Sequence, residues 1–207
     1  MVGTLAVFAF PADFLYHSRP MIPDYFAIVG AALGSLGGFY YLYETAVGKV
    51  QPNRVTWLLW GLFPMIVFVA QRVQGVANLS WVTFVAGFNP LLIVLVSFIN
   101  KRAYWQSKPR DYLLMAAAIV GIILWAITKE PNLAILFSLI ADMLASLPTV
   151  IKAYQHPETE SWVAYAISAV GFGVGVLAIQ TFTFENYAFI SYIFVINILL
   201  AYFASRK

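Results

Sequence analysis

A single carboxyl group lies deep inside an otherwise apolar run. Asp142 sits ten residues into the stretch 133–154, close to its middle. If that stretch crosses a bilayer, a charge there costs about 2.5–3.5 kcal/mol on insertion scales, so it needs a reason to be kept. No basic residue lies deep in any apolar run. Asp142 therefore either holds a proton or takes a cation from a pathway. Either way it is the one group that could tie solute movement to a proton gradient; the alternative is a protonated carboxyl hydrogen-bonded to a neighbouring helix as packing glue. Asn89 and Asn197 are amides in the apolar runs 80–99 and 187–204. Each offers two donors and one acceptor oxygen. Facing a cavity, they bind solute hydroxyls, amides or carboxylates. Facing a neighbouring helix, they give hydrogen bonds worth only about 0.6 kcal/mol on average in a membrane.

Other residues group around these three. Trp60 and Tyr165 lie one turn inside their runs and Ser168 a further turn in, so all three are candidates to line a pathway. Trp57 and Trp162 open those runs, where aromatics usually anchor to the membrane interface. Gln71 and Gln180 lie near the other ends of the same runs, as a gate or as a wet loop edge. Pro64, Pro90 and Pro148 fall inside apolar runs, where proline frees backbone carbonyls and can act as a hinge. Gly30, Gly34 and Gly38 form a small-residue ridge on one run; Gly171 and Gly175 form another, and Ser138, Asp142 and Ala145 share one face of a third. Such ridges let helices approach closely.

Catalytic chemistry finds no footing. There is no cysteine, and both histidines, His17 and His156, lie outside the apolar runs. A phosphate-binding loop, a Gly-x-Ser-x-Gly elbow and a His-Glu-x-x-His helix are absent. Asp142 has no second acid to make an intramembrane hydrolase, and the last run has no lysine for a retinal Schiff base. The expectation is a chain that is not an enzyme, with no metal and no cofactor.

These residues need a scaffold of apolar helices. Of the 207 residues, 62% are hydrophobic and 10% charged, with a mean hydropathy of +0.82. A soluble domain is about 45–50% apolar and about 25% charged. This excludes a soluble enzyme, a disordered chain and a nucleic-acid binder, and predicts an all-α integral membrane protein. A spanning helix takes roughly 20 apolar residues. Seven stretches qualify, at 25–43, 55–73, 80–99, 111–128, 133–154, 162–180 and 187–204. Residues 1–24 carry an apolar run too short to span and lack the basic start of a signal peptide, so they read as an interfacial segment. Nine lysines and arginines fall on the side holding the 1–2, 3–4 and 5–6 loops and the C-terminus, among them Lys49, Arg54, Lys152 and Arg206, against three on the other side. Positive charge marks the cytoplasmic side. The N-terminus is expected outside and the C-terminus in the cytoplasm, in the cell membrane.

The chain also repeats itself. At an offset of 105, Pro52 meets Pro157, Thr56 meets Ser161, Trp57 meets Trp162 and Trp60 meets Tyr165. Gln71 pairs with Gln180 at 109 and Asn89 with Asn197 at 108. Helices 1–3 thus match helices 5–7, and helix 4 is left over. Equivalent helices are four apart, so the two triplets run parallel. The expected organisation is 1–24, a first three-helix repeat 25–99, a linker helix 100–132 and a second repeat 133–207.

A parallel three-plus-one-plus-three repeat resembles the SWEET / PQ-loop transporter superfamily. The run 146–152, Ser-Leu-Pro-Thr-Val-Ile-Lys, resembles the family's Pro-Gln segment, with Thr149 in place of Gln. Thr159-Glu160-Ser161 resembles the Lys-Ser-Thr stretch that opens the next helix, and Asn89 and Asn197 resemble the pocket asparagines. Tyr43-Glu44 stands where the first copy's Pro-Gln would sit, and 66–72 and 174–180 lack the Trp-x-Tyr-Gly run of the sugar-moving members. The resemblance implies a transporter of a small polar solute, by default a sugar, working by alternating access. A proton-coupled amino-acid or vitamin transporter, or a non-transporting receptor on the same fold, is the alternative. The expected partners are a small-molecule solute and the lipid bilayer, with self-association open.

Overall fold

A computed structural model describes residues 21–100, 102–106, 108–128 and 130–206. The expected interfacial segment falls almost wholly on residues 1–20 and lies outside them. Among the described residues the regular elements are helices: α1 Phe26–Ala46, α2 Arg54–Val73, α3 Ser80–Ile99, α4 Pro109–Thr128, α5 Pro131–Gln155, α6 Trp162–Leu177 and α7 Phe184–Ala204. A single 3-10 turn, Pro157–Thr159, precedes α6, and an isolated parallel bridge joins Asn53 to Trp105.

Local chemistry sets the ends. Asn53 starts α2 by accepting from the Val55 and Thr56 amides at 3.1 and 3.4 Å, and Ser161 starts α6 by accepting from Ala164 at 3.3 Å. These side chains satisfy amides that have no partner in the first turn. Gly48 and Gly75 follow α1 and α2 at φ +75° and +81°. There the Lys49 amide closes on Glu44 O at 2.8 Å and the Val76 amide on Gln71 O at 2.9 Å. That closure needs a left-handed residue, which glycine adopts without strain. The helix ends lie within three residues of those expected. The largest shortfall is α6, expected to reach 180, which stops at Leu177 because Ile179 turns into the core, 1% exposed.

Five helices, α1, α2, α3, α5 and α7, are long and apolar enough to cross a membrane. Their outward faces fit that environment. Leu36, Val69, Leu95 and Val195, on four different helices, are all at least half exposed. A soluble monomer rarely shows apolar surface on this scale.

The helices before and after α4 pack in the same order. α3 lies against both α1 and α2, and α7 lies against both α5 and α6. Across the middle, α1 packs on α6 and α2 on α5, while α4 leans on α5. Two apolar clusters close the ends of the bundle. α1, α3, α5 and α7 enter through one cluster, at Ala27, Val82, Ala134 and Phe189, and leave through the other, at Tyr41, Val94, Ala153 and Leu200. α2 and α6 run the opposite way, from Trp57 and Ala164 to Val67 and Ala178.

The α1–α6 contact is made by the expected glycine ridges. A Cβ on Gly171 would lie 2.3 Å from the Gly34 amide, and one on Gly30 would lie 2.7 Å from Gly171 O. The two backbones touch, and only glycine permits it.

Candidate functional site

Between the two apolar clusters lies a cavity of about 80 Å³. On the measure by which one water needs about 10–15 Å³, it has room for roughly five to eight waters, or a solute of similar size. Every helix except α4 lines it. Asn89, Asn197, Trp60, Tyr165 and Ser168 all contribute to its wall, and so does Asp142. The pathway candidates read from the sequence therefore meet around one space. Two of the three candidate hinge prolines, Pro64 and Pro90, lie on the same wall. Pro148 is buried within α5 but does not line the cavity.

The two asparagines are not equivalent. Asn89 is 5% exposed, and its Oδ1 has no hydrogen-bond partner among the described residues. Its amide rests on Gly38, where a Cβ would come within 2.2 Å of Nδ2. Asn197 is half-buried and donates from Nδ2 to Ile193 O at 2.8 Å, one turn back on its own helix. Ser168 also doubles as packing, since a Cβ on Gly37 would strike its Oγ.

Asp142 is 3% exposed and is not alone. The Tyr192 hydroxyl, on α7, donates to its Oδ2 at 2.8 Å. Oδ1 has no partner among the described residues. The sequence reading missed Tyr192, and only the packing of α5 on α7 reveals it.

The structure corrects two further readings. Trp57 is not an interface anchor. It is 5% exposed, lines the cavity, and packs on Tyr41 and Trp60 with ring centroids 4.3 and 5.2 Å away. Its repeat counterpart Trp162 is 46% exposed, as an anchor should be. The repeat does not equate their surroundings: α6 begins at Trp162 itself, whereas α2 begins at Arg54, three residues before Trp57. Lys152, which the sequence only counts among the basic residues of one side, is not solvated. It is buried in the last turns of α5 beside Glu160, at 2.5 Å, and also donates to Gln51 O. Glu160 is fully buried and accepts from the hydroxyls of both Tyr41 and Tyr165, each at 2.8 Å. Tyr41 comes from the first triplet and Tyr165 from the second. The cluster stitches the two together beneath the cavity, at the end where the basic loops gather. Neighbouring loops join the same seam. The Gln51 amide donates to Thr159 O at 3.0 Å, and Lys152 lies 5.2 Å from the Trp105 ring centroid.

At the opposite end Gln71 is buried and donates to Glu185 O at 2.7 Å, while Gln180 donates to Ile22 O at 3.0 Å. The first ties α2 to the start of α7. The second holds the segment before α1.

No family model, curated protein or solved structure matches the chain.

Proposed function

We propose that the chain is a membrane transporter that moves a small solute by alternating access. In this reading it has seven spans, with parallel triplets over 25–99 and 133–207 joined by a linker helix within 100–132. The N-terminus lies outside the cell membrane and the C-terminus in the cytoplasm. One observation carries the proposal. Helices from both sides of α4 surround one cavity whose wall residues include buried polar atoms without a partner among the described residues, and an apolar cluster lies toward each end of it. A packing core keeps such atoms satisfied. A binding site holds them ready for a ligand.

The shared packing order of the triplets and the opposite run of α2 and α6 support the parallel repeat. The closures at the two ends differ in kind, which suits gates that open in turn. One is apolar, around Phe189 and Ile190. The other adds the Lys152–Glu160 pair and two tyrosines. Proline within α2, α3 and α5 gives each of these helices a place to bend. The resemblance implies a sugar by default, with an amino acid or vitamin as the alternative within transport.

Flux into proteoliposomes tests the proposal, with a panel of sugars, amines, amino acids and vitamins offered at equal concentration. Uptake of at least one class that saturates with concentration is expected. Leak-level flux for the whole panel, with the protein folded, would leave the receptor alternative in its place.

A further inference from the structure

We infer that the solute is a small amine carried as a cation, with its ammonium held between Asp142 and Asn89 and its apolar body against the indoles of Trp57 and Trp60. The inference rests on the transport reading of this cavity and names its substrate class.

The polar atoms left available in the cavity decide the class. The hydroxyls of Tyr41 and Tyr165 are committed to Glu160, and the Asn197 amide donates to its own helix. Among the described residues, four atoms of wall residues are fully buried without a partner: Asp142 Oδ1, Asn89 Oδ1, Trp57 Nε1 and Trp60 Nε1. Two are acceptors, and one of those belongs to the only acid on the wall. No lysine, arginine or histidine lines the cavity among the described residues.

An anion would enter beside a carboxyl group with no cation to meet it, and an unpaired buried charge is strongly disfavoured. A neutral hexose brings no charge to meet the carboxyl, and on a mostly apolar wall each of its hydroxyls left unpaired costs about 1–3 kcal/mol. An ammonium brings a positive charge and three donors, two of which find acceptors in Asp142 Oδ1 and Asn89 Oδ1. The rest of a small amine is apolar, as most of the wall is. Trp57 and Trp60 present ring faces as well as N–H groups, and an indole face attracts a cation.

Cyclohexylamine is a suitable probe, because cyclohexanol has its shape without the charge. Binding of cyclohexylamine, cyclohexanol and glucose to the purified protein is measured by calorimetry and by thermal shift. Cyclohexylamine alone should bind, and Asp142→Asn should weaken it at least tenfold. Wild-type protein that shows no amine binding, or that binds cyclohexanol or glucose as tightly, overturns the inference. If Asp142→Asn does not fold, the comparison of amine with alcohol on wild type still decides, and Asn89→Ala supplies the second variant. Flux is read separately. Amine binding without flux overturns transport and leaves the amine site standing. Hexose flux without amine binding does the reverse.

Discussion

Asn89 and Asn197 align in the sequence, yet their side chains are spent differently. Asn197 has already given a donor to Ile193 O, whereas Asn89, also on the cavity wall, keeps its Oδ1 without a partner among the described residues. Losing a hydrogen-bond partner for a buried group costs about 1–3 kcal/mol, or roughly 5–150-fold in affinity. Asn89→Ala is therefore expected to weaken solute binding by that range, and Asn197→Ala by less, with both proteins folded. Titration of each variant with cyclohexylamine checks this. Equal affinities with lowered thermal stability would assign both amides to packing. Residue identity carried this part of the site into view, because a polar group in an apolar run is conspicuous in one dimension. Asp142, Asn89 and Asn197 were legible for that reason. Glu160 and Lys152 were not, since charges near helix ends read as solvated. Their burial follows from loops meeting in space, as where the Gln51 amide reaches Thr159 O.

Hydropathy and punctuation place all of the described helices to within three residues, because a membrane helix is long and its breaks are rich in Gly, Pro and Asn. What these signals do not carry is which helix meets which. The ridges of Gly30, Gly34 and Gly38 and of Gly171 and Gly175 promise close approach without naming a partner, and only the structure joins α1 to α6. The contact makes a sharp prediction. A Cβ at position 171 would sit 2.3 Å from the Gly34 amide and 2.7 Å from Gly30 O, both backbone atoms that cannot step aside. Overpacking of this kind typically costs about 1–3 kcal/mol. Gly171→Ala should lower the thermal midpoint clearly. Gly173→Ala should lower it less, because its Cβ would meet the edge of the Phe194 ring, which can turn. A Gly171→Ala protein as stable as wild type would mean that the two helices are free to separate.

At the scale of the whole molecule, one buried ion pair holds the two triplets together at the basic end. Glu160 takes Lys152 and the hydroxyls of Tyr41 and Tyr165, and Lys152 also reaches Gln51 O across to the first triplet. Removing one partner of a buried pair leaves the other charge uncompensated, at a cost of about 3–5 kcal/mol while it stays buried. A soluble core could only unfold to relieve that cost. The alternating access proposed above supplies a second way, which is to open this end and wet Lys152. A conformational bias of even about 1.4 kcal/mol changes the ratio of two states tenfold. Glu160→Gln is therefore expected to favour the state open at the basic end. The chain has no cysteine, so a single one at Trp60, on the cavity wall, reports access cleanly. In the Trp60→Cys background, Glu160→Gln should raise the labelling rate by an impermeant thiol reagent added on the basic side, and not on the other side. Adding Lys152→Met, which removes the stranded charge, should return the rate toward the starting value. Unchanged labelling together with a lower thermal midpoint would make the pair a fixed brace, and the gate would then have to be sought at the apolar end around Phe189 and Ile190.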